Sequence, residues 1–124
     1  MQNDKRNRRE ILEDRLIDFS IAVNRILEKL PNSYFGNNLA SQLSRSSTSP
    51  ALNYAEAQAG ESTKDFVHKM KISLKELRET FVGLKIIERS DLLKDNSAVI
   101  LAKKEANELI SIFVASINTA SKRL

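Results

Sequence analysis

The sequence predicts an all-α fold, an up-down-up-down antiparallel four-helix bundle that forms a single domain over residues 1–124. Three observations support this prediction. Glycine and proline are rare, with three Gly and two Pro in 124 residues; apolar residues recur at helical spacing in four separate stretches; and the connections between these stretches are short. Short connections make consecutive helices pack side by side in opposite directions. No stretch shows the alternation of a β-strand.

The first helix is predicted over about residues 8–30, because its apolar residues follow the i, i+3, i+4, i+7 pattern of an amphipathic helix. Asn7, followed three residues later by Glu10, resembles a capping box, and Pro31 supplies the stop. The apolar stripe consists of Leu12, Leu16, Phe19, Val23, Ile26, Leu27 and Leu30.

The second helix is predicted to begin near Gly36 and to end at Gly60, which we expect to form a left-handed C-cap. Pro50 removes one backbone N–H and crowds the carbonyl group of Ser46, at a cost of about 3 kcal/mol in a straight helix. We therefore expect a kink near Pro50, with the hydroxyl groups of residues 46–49 bonding the freed carbonyl groups. The alternative is two short helices separated at Thr48. The predicted inner face contains Leu39, Leu43, Ser46, Ser47 and Tyr54.

The third helix is predicted over about residues 63–89, after a cap signature that begins at Ser62. Its core stripe is Phe66, Met70, Leu74, Leu77, Phe81 and Leu84, running toward Ile87. A linker over residues 90–95 leads to a predicted cap at Asn96 and Ser97, where the fourth helix begins. Its stripe is Val99, Ala102, Ala106, Ile110, Phe113, Ile117 and Ala120.

Several helices also carry apolar residues away from these stripes. A four-helix bundle has one interior, so a second apolar strip is typical of a surface that another copy of the chain covers. The alternative is a set of scattered surface aliphatic residues, which are common on monomers. The candidate oligomer interface consists of Ile17, Ile21, Ile72, Val82, Ile86, Leu101 and Ile112.

The net charge of +4 is unevenly distributed. The basic arm, residues 1–9, contains four basic residues and one acidic residue, Asp4, so its charge is +3. The rest of the chain has a charge of +1. A claim of nucleic-acid binding therefore depends on where the charges lie. The four basic residues of the arm are Lys5, Arg6, Arg8 and Arg9.

The third helix places basic residues on one of its faces, with Asp65, Glu76 and Glu79 on a flank. This pattern is typical of a solvated, salt-bridged surface. In an assembly of identical chains, however, the face would be multiplied into a basic surface that contacts several phosphate groups. No aromatic residue lies between the basic ones. We therefore expect recognition of the backbone or the shape of a nucleic acid, and not base stacking. The face consists of Lys64, His68, Lys71, Lys75, Arg78, Lys85 and Arg89.

Catalytic and metal-binding motifs are missing from the sequence. The single His68 has Asp65 three residues before it, but a carboxylate-bridged metal site needs two such histidine motifs. The serines between Ser41 and Ser49 have no histidine base, and neither glycine-rich phosphate-binding motif is present. We therefore expect a non-enzymatic protein with no catalytic residues, no metal and no cofactor.

Cysteine usage and hydropathy indicate the compartment. The chain has no Cys, which excludes a disulfide framework and a cysteine zinc site. No apolar run reaches the length of about 18 residues that a membrane span needs, and the first residues lack the apolar core of a signal peptide. We expect a soluble cytoplasmic protein without a membrane partner.

Five short segments carry a family resemblance: residues 41–45, Ser49, 53–56, 62–66 and 73–77. They resemble the four-helix-bundle family first named from reading frames in intervening sequences of bacterial large-subunit ribosomal RNA genes, often labelled as a ribosomal protein. The family pattern runs Ser-Gln-Leu-Arg-Arg, then Ser-Ile-Pro-Ser-Asn-Ile-Ala-Glu-Gly, then Ser-Lys-Lys-Glu-Phe. Arg45, Asn53 and Glu56 match this pattern, whereas Ser44 replaces the first Arg, Pro50 comes one place early and Ala57 stands where Gly is usual.

The resemblance implies a homopentamer with a central channel and brings no catalytic residues with it. A similar fold serves as the accessory protein of diversity-generating retroelements, in which a basic pentamer works with reverse transcriptase and its RNA. This analogy in fold favours a nucleic-acid partner, although a shared fold is a weak guide to function.

Two functions follow from the sequence. The first is an oligomeric protein that binds the backbone of RNA or DNA through the basic arm, Lys64, Lys71, Lys75 and Arg78, with Arg45 as a further candidate. The second is a structural or protein-binding scaffold, in which the basic face only solvates the surface or pairs with acidic faces of other subunits. The expected partners are therefore other copies of the chain, and either a nucleic acid or another protein.

Overall fold

The computed structural model describes residues 7–124, in which four helices and no strand are found. The helices are α1 (Arg8–Leu27), α2 (Tyr34–Gln58), α3 (Thr63–Arg89) and α4 (Ser97–Ser121). Packing follows the order α1–α2–α3–α4, and α4 closes the bundle against α1. Ion pairs join Arg45 to Glu76 and Glu56 to Lys69, so the α2–α3 pair is antiparallel. The predicted bundle is confirmed.

Serine and asparagine side chains begin three of the helices. The side-chain oxygens of Asn7, Ser33 and Ser62 each accept a hydrogen bond, at 3.0–3.1 Å, from the backbone N–H three residues later. Such bonds satisfy donors that the first turn of a helix leaves unpaired. The cap at Ser33 starts α2 two residues before the predicted Gly36.

Asn96 is the N-cap residue of α4, as predicted, but its side chain does not form the capping bond. Instead, the Asp95 carboxylate accepts hydrogen bonds from the Ser97 backbone N–H at 2.9 Å and from the Ser97 hydroxyl at 2.5 Å. A carboxylate one residue further out therefore performs the role that the sequence assigned to Asn96.

The predicted left-handed C-cap at Gly60 is wrong, since no glycine has a positive φ. The Ala59 and Gly60 N–H groups donate to the carbonyl oxygens of Glu56 and Ala57, so bonds between residues three apart tighten the end of α2. This tightening satisfies carbonyl groups without a left-handed residue. The residue with positive φ is Asp91, at 57°, after α3.

Helix α2 continues through Pro50 without a break, so the alternative of two helices split at Thr48 is wrong. The Thr48 hydroxyl donates to the carbonyl oxygens of Ser44 and Arg45, at 2.9 and 3.1 Å. These carbonyl groups lie six and five residues before Pro50, whereas the one that Pro50 leaves free is that of Ser46. The expected bonding of the freed carbonyl group is therefore not met by these two bonds. The kink itself stays a prediction.

The core contains the predicted stripes, with Leu12, Leu30, Phe66, Leu74, Phe81 and Ile110 half-buried at its margin. The sequence missed Val67 and Leu109, and it missed a polar layer between α2 and α3. In this layer the Ser46 and Thr80 hydroxyls lie 2.8 Å apart, fully buried. At Gly83, a Cβ atom would overlap the Leu43 side chain, so the two helices approach closely there.

Candidate nucleic-acid interface

The basic residues of α3 face away from the core, as their spacing predicts. Lys64, His68, Lys71, Lys75, Arg78 and Arg89 are exposed. Lys85 differs, because it is half-buried and its Nζ atom lies 5.2 Å from the centre of the Phe81 ring. We call Lys64, Lys71, Lys75, Arg78 and Arg89 the basic face of α3. Within residues 7–124, none of these five forms an ion pair.

Three of the four acidic residues of α3 pair with cations of the neighbouring helices. Glu76 and Glu79 of α3 bind Arg45 of α2, each at 2.8 Å, and Glu88 of α3 binds Lys103 of α4 at 2.6 Å. The Glu76 side chain is 9% exposed. Of the three carboxylates that the sequence placed beside the basic face, Glu76 and Glu79 are therefore paired with Arg45 of α2, whereas Asp65 is exposed in the first turn of α3.

Arg45 is thus committed to two carboxylates, and not free for a phosphate group. Its guanidinium bridges Glu76 and Glu79, and the side chain lies along the outside of the α2–α3 pair. Lys69 is committed in the same way, since its Nζ atom lies 2.6 Å from Glu56 of α2. Sequence spacing gave no signal for either pair, because the partners are 31 and 13 residues apart along the chain.

The basic arm divides into two parts. Lys5 and Arg6 lie outside the described residues. Arg8 and Arg9 are exposed at the start of α1, at the end of the bundle where α2 ends and α3 begins. Lys64, in the first turn of α3, lies at the same end. The structure therefore places Arg8 and Arg9 at the end of the bundle where α3 begins, although α1 and α3 make no direct contact.

The candidate interface residues lie in separate places. Val82 and Ile86 border a groove of about 380 Å³ between α2 and α3, and Leu101 borders one of about 330 Å³ between α1 and α4. Ile17 and Ile21 are exposed on α1, whereas Ile72 and Ile112 are half-buried. The sequence did not single out six further exposed apolar residues, Ile11, Tyr34, Phe35, Leu52, Ile100 and Leu124.

The described residues contain neither a candidate metal cluster nor a candidate membrane-spanning helix. Within residues 7–124 no group of three or more His, Asp or Glu side chains could hold a metal ion. No helix in that range combines the length and apolarity needed to cross a membrane.

Comparisons with known proteins place the chain among relatives. The model of the family described as "23S rRNA-intervening sequence protein" matches residues 11–115. Among solved structures, the chain is similar to a protein with unknown function from the S23 ribosomal protein family of Bacteroides thetaiotaomicron. The TM-score is 0.80 at 23% sequence identity, and the match covers 90% of this chain and 99% of that one. No curated protein matches the sequence.

Proposed function

Since this chain belongs to the family of 23S rRNA-intervening sequence proteins, as its sequence motifs indicated, we propose that it is a non-enzymatic protein that binds the backbone of RNA or DNA. The phosphate groups contact the basic face of α3. Arg8 and Arg9 contribute further positive charge at the end of the bundle where α3 begins. The protein acts in the cytoplasm as a homo-oligomer.

One observation carries this proposal: α3 separates its charges. Its carboxylates Glu76, Glu79 and Glu88 pair with cations of α2 and α4, whereas the five cations of the basic face have no acidic partner among the described residues. A solvated, salt-bridged surface would instead interleave the two signs on the outer face. Unpaired cations in a row suit a polyanion, because each phosphate contact releases condensed counterions.

The same face favours contact with the backbone over base stacking. The two aromatic residues of α3, Phe66 and Phe81, are half-buried and pack against the core. Single-strand binding by stacking needs exposed rings in the groove that holds the bases. We therefore expect weak sequence preference and strong dependence on salt.

Self-association strengthens this surface in the proposal. The groove beside Leu101, which is 69% exposed, and the groove beside Val82 and Ile86 provide apolar surface that a second copy can cover. The family resemblance suggests a pentamer. In a closed ring each copy would contribute its own basic face, so that one strand contacts several subunits.

The second candidate function is a protein-binding scaffold without a nucleic-acid role. The outer face of α2 favours it, because Tyr34 is 93% exposed and Leu52 is 64% exposed, and neither belongs to the predicted oligomer interface. Exposed aromatic and aliphatic residues of this kind are typical anchors of protein interfaces.

A salt titration with paired variants tests the proposal. The variant Lys71→Gln/Lys75→Gln/Arg78→Gln should bind RNA at least about tenfold more weakly and lower the slope of log affinity against log salt by about 2–3. The control, Arg25→Gln/Lys94→Gln/Lys104→Gln, removes the same charge from exposed positions elsewhere and should leave the slope close to that of the native chain.

Two results would contradict the nucleic-acid proposal. One is the absence of binding to RNA and DNA at about 50 mM salt, where backbone contacts are strongest. The other is an equal loss of affinity in both triple variants. Loss of assembly in the basic-face variant, without any nucleic-acid binding by the native chain, would favour the scaffold.

A further inference from the structure

A cavity at one end of the bundle is not used by the proposed function. It measures about 480 Å³ and opens where α1 begins and α4 ends. A second recess, of about 360 Å³, lies beside it and shares Arg9, Phe66 and Arg123 with it. We call the cavity of about 480 Å³ the arginine cavity. A volume of this size falls within the range of roughly 300–1,000 Å³ that small-molecule sites occupy.

Three guanidinium groups line this cavity. Arg8 and Arg9 come from the first turn of α1, and Arg123 comes from the residues after α4. None of them forms an ion pair with another residue of the described range 7–124. Glu61 lines the neighbouring recess, Asp65 lies beside Gly60 of that recess, and the charge of Glu13 acts on Tyr54. Among the described residues, those that line the arginine cavity itself include three arginines and no carboxylate, so its lining is positively charged.

Tyr54 supplies a buried polar group in the wall. The residue is 4% exposed, and its ring packs edge-on against Phe113 with the ring centres 5.9 Å apart. Within residues 7–124 the Tyr54 hydroxyl makes no hydrogen bond. It is not fully enclosed either, because the one fully enclosed side-chain N or O atom without a hydrogen-bond partner in that range is Asn96 Oδ1. The Tyr54 hydroxyl is therefore open to the cavity. Burial raises the pKa of Tyr54, so the phenol stays protonated and available as a donor.

We propose that the arginine cavity binds a phosphomonoester of nucleotide size. The guanidinium groups of Arg8, Arg9 and Arg123 hold the phosphate, since their paired N–H donors match its oxygens. The Tyr54 hydroxyl donates a further hydrogen bond. The apolar wall, formed by Leu12, Phe66 and Ile112, receives the rest of the ligand. This site shares Arg8 and Arg9 with the proposed nucleic-acid interface and uses none of the residues of the basic face of α3. Binding of a phosphomonoester in a defined cavity goes beyond the proposed function, which is contact with a nucleic-acid backbone.

Tyrosine fluorescence of the full chain provides the readout. The protein has no Trp and two Tyr, and Tyr34 is exposed, so a Tyr34→Phe variant leaves Tyr54 as the reporter. Ribose 5-phosphate, which does not absorb at the wavelengths of tyrosine fluorescence, should give a saturable change in the fluorescence of Tyr54. Ribose should give no change. The proposal is overturned if ribose 5-phosphate gives no change at concentrations on the order of 10 mM, or if ribose gives the same change.

Variants assign the binding to the arginine cavity. In the Tyr34→Phe background, Arg9→Gln/Arg123→Gln should weaken ribose 5-phosphate binding by about tenfold or more, since charge-assisted hydrogen bonds are lost. Both arginines are exposed, so the fold should be retained, which circular dichroism checks. The basic-face variant Lys71→Gln/Lys75→Gln/Arg78→Gln is the control and should bind as before. Equal affinity in the cavity variant and the control overturns the assignment.

Calorimetry identifies the source of the phosphomonoester and tests Tyr54. If a 5′-phosphorylated oligonucleotide binds at least about tenfold more tightly than its 5′-hydroxyl form, the ligand of the site is the end of a nucleic-acid strand. Binding of adenosine 5′-monophosphate without that preference assigns the site to a free nucleotide. Tyr54→Phe retains the ring and should weaken either ligand several-fold. Failure of both ligands to bind overturns the proposal, and it leaves the salt-dependent binding to the basic face untouched.

Discussion

Arg45 shows how a residue with a predicted role acquires another in the folded chain. Its guanidinium lies between Glu76 and Glu79, and the Glu76 side chain is almost completely buried. A buried carboxylate is tolerated only when it is paired and hydrogen-bonded. Arg45 therefore stabilises the α2–α3 pair and, by occupying two carboxylates, leaves the basic face of α3 unopposed.

Removal of this arginine should destabilise the protein. Arg45→Ala leaves the Glu76 carboxylate buried without its cation, and we expect the free energy of unfolding to fall by about 1–3 kcal/mol. Urea denaturation measures it. Glu76→Gln in the Arg45→Ala background should recover part of the loss, since no charge then remains buried. Lys69→Ala, which opens the exposed pair with Glu56, is the control and should cost less than about 1 kcal/mol. Equal losses in Arg45→Ala and Lys69→Ala would contradict this assignment.

The sequence could predict which residues of α3 face outward, and it could not predict which of them pair. Periodicity alone places Lys71, Lys75 and Arg78 on one face. The pairing of Arg45 with Glu76 depends on the register between two helices and on the direction that two long side chains take across their interface. Neither quantity is contained in the spacing of residues along one helix.

At the scale of the helices, close approach of α2 and α3 depends on Gly83. The Leu43 side chain occupies the space that a Cβ atom at position 83 would need. Because Leu43 is 2% exposed, it has little room to move, and Gly83→Ala should lower the free energy of unfolding by about 1–3 kcal/mol through overpacking. Thermal or urea unfolding measures this change.

A double-mutant cycle isolates the cause of that loss. Leu43→Ala removes the atoms that an alanine at position 83 would overlap. In that background Gly83→Ala should cost little, so the coupling between the two positions should be of the order of 1 kcal/mol or more. Additive effects would show that the contact is not the cause.

The start of α4 should depend on pH through Asp95. Hydrogen bonds from Ser97 lower the pKa of Asp95 from its ordinary value of 3.8. Because the carboxylate has a lower pKa in the folded state, its contribution to stability is present above pH 3.8 and is lost as the pH falls through the folded-state pKa. Asp95→Ala should therefore be less stable than the native chain at neutral pH, and the difference should shrink in acid.

Urea denaturation at a series of pH values measures this difference. Asn96→Ala is the control, because Asn96 makes no cap bond, and its effect should not vary in the same range. A difference between Asp95→Ala and the native chain that is constant down to about pH 2 would contradict the cap.

Helix bounds were predictable where a capping side chain and a core stripe agreed. Helix α3 runs from Thr63 to Arg89 as the sequence predicts, because Ser62 begins it. The end of α2 was predicted less well, since Gly60 permits a left-handed cap without requiring one. The tightened last turn of α2 depends on the path of the chain into α3.

The bundle as a whole leaves large apolar side chains exposed on a single copy, among them Leu101 and Val82. Leu101→Lys places a charge in the groove between α1 and α4 and should weaken self-association by about tenfold or more, while the exposed position leaves the fold intact. Sedimentation equilibrium measures the assembly. Leu52→Lys, on the outer face of α2, is the control and should assemble as the native chain does. An assembly that tolerates Leu101→Lys would contradict this interface.

The most direct test of the account asks which lysines a nucleic acid covers. Lysine acetylation of the full chain, with and without RNA at low salt and equal protein concentration, is read by mass spectrometry of peptides. We predict that RNA protects Lys64, Lys71 and Lys75, while Lys29, Lys94 and Lys104 react as in the free protein. Protection of the second set, or equal reactivity of the first set with and without RNA, would contradict a nucleic-acid interface on the basic face of α3.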